Sequence, residues 1–180
     1  LETATGKAAA CAFASGHGQG GGGCPGAQSM NFAGKKQDAG ADAGQKGSRP
    51  SQLTHWPVQL HLLSPLAPQY RGADVLLAAD CVAYALGDFH KDWLQGRKLA
   101  IACPKLDEAQ EIYGEKIKAF INDAKINTLT VMIMEVPCCR GLLRLAAEAA
   151  SKASRKVPIK CVVVSIQGKV IQEEEVSFPL

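Results

Sequence analysis

Three apolar segments that we predict to be buried strands each run into cysteine. The segments are Asp74–Ala79, Leu99–Ala102 and Thr128–Val136, and the cysteines that follow them are Cys81, Cys103, Cys138 and Cys139. In an open parallel sheet the carboxyl ends of the strands form one crevice, where ligands bind. Core packing is a poor explanation for cysteine at three strand ends. We therefore predict that these four thiols meet in the crevice and hold a metal centre.

Thiolate chemistry favours an iron–sulfur cluster, because thiolate is the soft ligand that such clusters and zinc select. Each cysteine lies where a strand gives way to a loop or a helix start. Helix N-termini lower thiol pKa values and offer N–H groups to cluster sulfur. The sequence contains no Cys-x-x-Cys pair, which disfavours a zinc ribbon or knuckle. Redox-active thiols, a disulfide, or purely structural cysteines are the alternatives that the spacing leaves open, and we interpret Cys161, inside an apolar segment, as structural.

Charged residues stand beside the candidate ligands. Lys105 and Arg140 could offset the negative charge of a thiolate-bound cluster, or they could be exposed charges in a first helical turn. Asp80 and Glu135 could support the ligands or simply end their strands. His90 could reach the crevice as a ligand or proton carrier, although a hydrogen-bonded polar role is the more usual one for such a histidine.

Residues 1–50 have a different composition from the rest of the chain. They are rich in Gly, Ala, Lys and Gln, with a nearly continuous glycine run at Gly18–Gly23. Such a segment buries too little apolar surface to offset its ordering entropy, so we expect it to be flexible. It carries Cys11 and Cys24, which we treat as further candidate cluster ligands on a flap over the crevice. A phosphate-binding loop is not favoured, because no strand precedes the glycines and no Gly-Lys-Ser/Thr follows them.

Bulk properties narrow the classes of function. The 180 residues carry a net charge of +3, and the basic residues are scattered, so nucleic-acid binding is not expected. Seven cysteines, an odd number, in a chain rich in apolar strands indicate metal or thiol chemistry in a reducing compartment rather than a disulfide framework. No apolar run reaches the roughly 18 residues of a membrane span, and no signal peptide is visible. We expect a cytoplasmic protein, and Leu1 in place of an initiating methionine indicates a fragment or a processed product.

The pattern from residue 51 to residue 180 predicts one α/β domain. Apolar strand segments alternate with amphipathic helix segments, which favours a three-layer fold with a mostly parallel sheet of about five strands. The predicted strands are Trp56–Leu63, Asp74–Ala79, Leu99–Ala102, Thr128–Val136, Ile159–Ile166 and an antiparallel edge at Lys169–Gln172. The predicted helices are Cys81–Leu94, broken at Gly87, then Asp107–Ala124 and Gly141–Ser154.

The helix predicted at Asp107–Ala124 has the clearest period. Its apolar residues recur at three- and four-residue steps. We expect Asp107 to cap its first turn, with Gln110 reaching back in a capping box. Ile112 is expected on the buried face and Lys116 on the solvent face.

Four motifs resemble the domain that follows the ferredoxin module in ferredoxin-type iron–sulfur proteins of anaerobic bacteria and archaea. The motifs are SQLTHWPVQLHLLSPLAP, ADVLLAADCVAYALGDFH, IACPKLD and MEVPCCRGL, and they span about residues 51 to 170 in order. The family pattern places cysteines at Cys81, Cys103, Cys138 and Cys139, with a Cys-Pro-Gly element matching Cys24-Pro25-Gly26 and an earlier cysteine matching Cys11. The eight-cysteine ferredoxin module itself is not among these 180 residues.

Together these observations predict an iron–sulfur protein, with [4Fe–4S] as the leading cluster type, that acts in electron transfer or redox sensing. The expected partner is a redox protein, with a possible homodimer and no nucleic acid or membrane. Two alternatives stand beside this prediction. One is a cluster-dependent enzyme with an open iron site and His90 or Lys105 as acid or base. The other is a zinc- or thiol-based redox or assembly module.

Overall fold

The computed structural model describes residues 29–31 and 50–176, and the strands within them form two sheets. The strands are β1 (Met30–Asn31), β2 (His55–Trp56), β3 (Asp74–Ala79), β4 (Lys98–Ala102), β5 (Thr128–Met134), β6 (Ile159–Val164) and β7 (Val170–Glu175). The helices are α1 (Val82–Ala85), a π-helix at Phe89–Leu94, α2 (Glu111–Asn122) and α3 (Arg140–Ser151), with 3-10 turns at Pro68–Tyr70 and Pro137–Cys139.

The main sheet has five strands in the order β4-β3-β5-β6-β7. The first four are parallel, and β7 runs antiparallel to β6. Strands β3 and β5 are buried along almost their whole length, which explains their continuous apolar sequences. The predicted three-layer α/β fold with a mostly parallel five-stranded sheet is confirmed.

The helices cover both faces of this sheet. The chain moves in one direction from β3 to β4, and in the other from β4 to β5 and from β5 to β6. Right-handed crossovers then place the β3–β4 connection on one face and α2 and α3 on the other. Helices α2 and α3 pack against each other, as this arrangement requires. No helix in the described ranges has the length and apolar character needed to cross a membrane.

The two edges of the sheet differ. Next to β4, the backbone of residues 58–60 adds a short parallel contact, in which Ile101 N donates to Val58 O at 2.8 Å and Leu60 N donates to Ile101 O at 2.9 Å. The opposite edge is β7, whose residues are all exposed and whose pairing with β6 shifts register at Val163/Val164. The end of β7 is the glutamate run 173–175, which extends the predicted edge strand by three residues.

The prediction of a strand over Trp56–Leu63 is wrong for most of that segment. Strand β2 ends at Trp56 and pairs with the two residues of β1. Pro57 follows, and proline has no N–H with which to continue a strand ladder. After the contact with β4 the chain turns, and the N–H groups of Leu62 and Leu63 both donate to Gln59 O.

The predicted helix at Cys81–Leu94 is also corrected. It consists of the short α1 and the separate π-helix, because Leu86, the residue after α1, adopts an extended conformation; its side chain is buried. Within α1, Tyr84 is 93% exposed. The sequence did identify the break at Gly87, but it did not show that the helix ends before this residue.

Helix α2 begins four residues later than predicted. Gln110, not Asp107, is its N-cap residue, and Ile112 is 40% exposed rather than buried. Lys116 does not mark the solvent face. Its ammonium group donates to the carbonyl oxygens of Leu60, His61 and Leu63 at 2.6 to 2.9 Å, which ties α2 to the turn after residue 59.

Candidate metal centre

The four cysteines predicted to meet do line one pocket at the carboxyl edge of the sheet. The pocket has a volume of about 170 Å³ and is lined by Ala79, Asp80, Cys81, Cys103, Pro104, Met134, Val136, Cys138, Cys139 and Ile166. These residues come from the last positions of β3 and β5 and from the connections after β3, β4, β5 and β6. Between the thiols the walls are mostly apolar, so charges placed in this pocket would interact strongly.

The pocket lies where the sheet reverses its winding. Strand β3 has β4 on one side and β5 on the other, so the chain leaves it in one direction and returns past it in the other. Ligands of open α/β sheets bind at this switch point. Cys81 follows β3 after Asp80, and Cys138 and Cys139 follow β5 after Glu135-Val136-Pro137, so three of the four thiols flank the switch point itself.

The cysteines differ in exposure. Cys81 and Cys138 are exposed, Cys103 is intermediate, and Cys139 is buried. Burial raises the pKa of Cys139 above its usual range; a backbone hydrogen bond at Met134 opposes this, and the nearby Cys138 and Cys81 thiols raise the pKa further. Cys81 follows β3 and Cys139 follows β5, so this repulsion acts between thiols of two different connections. Without a cation the buried thiol is therefore held in its neutral form.

The N-terminus of α3 carries two of the thiols. Cys138 and Cys139 lie in the 3-10 turn Pro137–Cys139, and Cys139 is the N-cap residue of α3. A helix of twelve residues presents partial positive charge and unpaired N–H groups at this end. These favour thiolate and would partly offset the effect of burial on Cys139.

Hydrogen bonds to Asp107 and Gln110 hold the loop that carries Cys103. These are the two residues expected from the sequence to form a capping box. Asp107 Oδ2 accepts a hydrogen bond from the backbone N–H of Cys103 at 2.7 Å and another from the hydroxyl of Tyr113. Gln110 donates to the carbonyl oxygen of Pro104. The side chains of Asp107 and Gln110 thus hold the backbone of Cys103 and Pro104 instead of forming a capping box on α2. Burial, the hydrogen bond to Asp107 and the negative charges of Asp107, Asp80 and Cys103 all raise the pKa of Tyr113, which keeps its proton for this bond.

Two glycines bring the connections together, and sequence reasoning missed both. A Cβ atom on Gly141 would lie 3.2 Å from Pro104 Cβ, so the first turn of α3 contacts the Cys103 loop directly. Gly168, with φ of +77°, lies against the carbonyl oxygen of Ala85 at the end of α1, where a Cβ atom would overlap that oxygen. Neither contact has a local sequence signal, since each joins residues that are distant along the chain.

The remaining predicted residues have other positions. His90 does not line the pocket, and its Nδ1 accepts a hydrogen bond from Gln52 N at 3.1 Å. Glu135 Oε1 accepts one from Ile166 N at 2.9 Å, which fixes the connection after β6. Lys105 and Arg140 are exposed. Cys161 is buried in β6, as expected for a structural residue.

Asp80 is the acidic residue of the pocket wall. Its Oδ2 accepts a hydrogen bond from Gln59 Nε2 at 3.4 Å, and its Oδ1 is buried without a partner among the described residues. Burial raises the pKa of Asp80, and the charge of Asp107 adds to the rise.

The arrangement sets limits on what can bind. Within residues 29–31 and 50–176, no three His, Cys, Asp or Glu side chains are placed to hold one metal ion. The thiols therefore line the pocket without converging on a single point. A volume of about 170 Å³ is also smaller than the roughly 300–1,000 Å³ of typical organic ligand pockets. Cys11 and Cys24 lie outside the described residues.

The fold and the position of the pocket define a doubly wound α/β domain with a pocket at its switch point, where ligands of such sheets bind. The chain belongs to the Rossmann-like domain family, which it matches over residues 67–179. It is also similar to an uncharacterized protein of Archaeoglobus fulgidus, with 30% identity over 121 residues that cover 66% of this chain and 83% of that protein. No solved structure matches the chain.

Proposed function

We propose that this protein binds an iron–sulfur cluster at the carboxyl edge of its sheet and acts in electron transfer or redox sensing. The observation that carries the proposal is the shared pocket of Cys81, Cys103, Cys138 and Cys139, which arrive from three different strand ends. The resemblance of the cysteine motifs to ferredoxin-type iron–sulfur proteins supports the same assignment, with [4Fe–4S] as the preferred cluster type.

The geometry favours a cluster over a single metal ion. The four thiols do not converge on a point, whereas a cluster distributes its thiolate ligands over different iron atoms. The pocket volume suits a compact inorganic group better than an organic cofactor. Iron bound to the four thiolates would also offset the burial and the repulsion from neighbouring thiols that raise the pKa of Cys139, because the cation stabilises every deprotonated sulfur.

The residues around the pocket can adjust the reduction potential of such a cluster. Reduction potential depends on burial, on hydrogen bonds to sulfur and on nearby charge. The apolar walls of the pocket, the N–H groups at the start of α3 and the exposed cations Lys105 and Arg140 provide these three influences. The electron would be exchanged with a redox partner protein.

The test is anaerobic purification of the full chain, followed by iron, acid-labile sulfide and zinc analysis and by EPR of the reduced protein. We expect iron and sulfide in similar amounts. Serine at Cys81, Cys103, Cys138 or Cys139 should lower both, whereas the control Cys161→Ala should leave both unchanged. Serine at Cys11 and at Cys24 tests those two further candidates.

Each alternative gives a different result. Zinc without sulfide would identify a zinc module, and neither metal nor sulfide would favour redox-active thiols. Iron content that is unchanged in a Cys138→Ser, Cys139→Ser double variant would refute the site. A cluster that accepts an added ligand at one iron, seen as an altered EPR signal, would favour the enzyme hypothesis.

A further inference from the structure

The most exposed large apolar side chains of the described residues all stand beside the thiol pocket. Tyr84 is 93% exposed, Leu106 79% and Ile166 68%. Each comes from a different connection: Tyr84 from α1 after β3, Leu106 from the loop after β4, and Ile166 from the turn after β6. Exposed apolar residues scattered singly need no explanation, but a group around one pocket indicates a contact surface.

Short chain distances hold these three side chains near the pocket. Ile166 is itself a lining residue. Leu106 N donates to the carbonyl oxygen of the lining residue Cys103 at 3.1 Å. Tyr84 follows Cys81 by three residues, and its neighbour Ala85 contacts Gly168 in the turn that follows Ile166. We call the three residues the apolar rim.

Three exposed basic residues adjoin the apolar rim or the pocket in sequence. Lys105 precedes Leu106, Arg140 follows Cys139, and Lys169 follows Gly168. All three are exposed, and none forms an ion pair with another described residue. The described ion pairs use other cations, Lys118, Arg144 and Lys160. The rim therefore combines an apolar centre with three cations that form no ion pair with a described residue, while the acidic side chains beside it are held by hydrogen bonds, Glu135 to Ile166 N and Asp107 to Cys103 N.

We infer that the apolar rim is a docking surface for an acidic one-electron carrier protein. This inference rests on the proposed function and adds the chemistry of the partner. Apolar contact excludes water between the two redox centres, and opposite charge speeds the encounter and fixes the orientation. The electron would pass from the reduced carrier to the oxidised cluster, so the carrier is oxidised as the cluster is reduced.

The test uses the full chain purified without oxygen and an acidic ferredoxin as the probe, with calorimetry for binding and stopped-flow absorbance for electron transfer. We expect binding at low ionic strength that weakens as salt is added. Serine at Tyr84, Leu106 or Ile166 should each raise Kd about fivefold or more, on the scale of a lost interface contact. The control Leu66→Ser changes a residue that is 61% exposed in the loop leading to the amino end of β3, and should leave Kd unchanged.

A charge series provides the second arm. Lys105→Glu should weaken binding and flatten its salt dependence, whereas Lys156→Glu, an exposed residue in the connection that enters the amino end of β6, should change neither. A basic cytochrome c serves as the probe of opposite charge and should bind more weakly than the ferredoxin. Equal effects of the rim and control variants would overturn the inference.

Other occupants of the rim give recognisable outcomes. Dimerisation of the chain that the rim variants abolish would identify a second copy as the occupant and overturn the inference. Protection of Tyr84 and Leu106 from hydroxyl-radical labelling in the isolated monomer would identify another part of the same chain, with the same consequence. Metal and sulfide analysis of each sample separates these outcomes from failure of the cluster proposal, since binding is measured independently of cluster content.

Discussion

Gly141 illustrates how one residue can set the geometry of the pocket. It lies in the first turn of α3, and a Cβ atom added there would stand 3.2 Å from Pro104 Cβ and 3.5 Å from its Cγ. Ordinary Cβ contacts are longer, so Pro104 would have to move by a few tenths of an ångström. Cys103 is bonded to Pro104 and would move with it.

We predict that Gly141→Ala lowers the iron content of the anaerobically purified protein. Alanine in a helix gains up to about 1 kcal/mol over glycine, but the contact with Pro104 should cancel part of this gain in the free energy of unfolding. The matched control is Gly114→Ala in α2, where an added Cβ meets nothing within 4 Å. This control variant should raise the free energy of unfolding by about 0.5–1 kcal/mol, and its iron content should equal that of the wild type. The measurements are urea unfolding and iron analysis, and equal behaviour of the two variants would contradict the prediction.

Cys138 and Cys139 show that neighbouring residues of one type can have different environments. The 3-10 turn places one thiol in solvent and the other in the protein interior. Both cysteines lie within this turn rather than in extended backbone. The difference in burial between the two thiols depends on how α3 packs, and the local sequence does not predict this packing.

At the scale of elements, β2 carries a buried histidine that makes stability depend on pH. His55 is fully buried, and its Nε2 lies 2.9 Å from the carbonyl oxygen of Leu99. Burial lowers the pKa of His55 below its usual 6.5; the Leu99 hydrogen bond opposes this, and the charge of Lys98 adds to the lowering. As pH falls below 6.5, the unfolded chain takes up this proton before the folded chain does.

We therefore predict that the free energy of unfolding decreases from pH 6.5 downwards, by up to about 1.4 kcal/mol per pH unit for one proton. His55→Gln keeps a donor for Leu99 but does not titrate. It should be less stable than the wild type at pH 8, and its stability should fall less between pH 6.5 and 5. Urea unfolding across this range is the measurement, with the exposed His90→Gln as control. An unchanged pH dependence in His55→Gln would argue against the assignment.

The buried strands of the main sheet were the most predictable elements, and the reason is physical. Asp74–Ala79 and the start of β5 at Thr128 agree with the structure because burial on both faces leaves a continuous apolar sequence. Lys116 was misplaced because periodicity records only neighbours on the same helix. Its three carbonyl partners lie 53 to 56 residues away in sequence, and the contact between Gly141 and Pro104 is non-local in the same way.

At the scale of the whole molecule, the pocket joins connections from four strands. A group bound there would crosslink the loops after β3, β4 and β5 in the folded state only. Binding to the folded state alone stabilises it by mass action, by about 2.7 kcal/mol when the free ligand is at a hundred times its Kd.

We predict that the cluster-loaded protein melts at a higher temperature than the apoprotein prepared by chelation. Cys139→Ser should remove most of this difference. Cys161→Ala should lower both melting temperatures and keep the difference between them, because it changes the core and not the pocket. Anaerobic calorimetry is the measurement, and identical melting of the loaded and chelated wild-type protein would contradict the prediction.

The exposed edge strand β7 has a consequence for self-association. An edge strand with free N–H and C=O groups is a template on which other chains can add and aggregate. Here the last strand ends in three consecutive glutamates, and its pairing with β6 is irregular at Val163/Val164. Stacked copies would bring like charges together along a twisted edge, so growth of the sheet into fibres is opposed at β7.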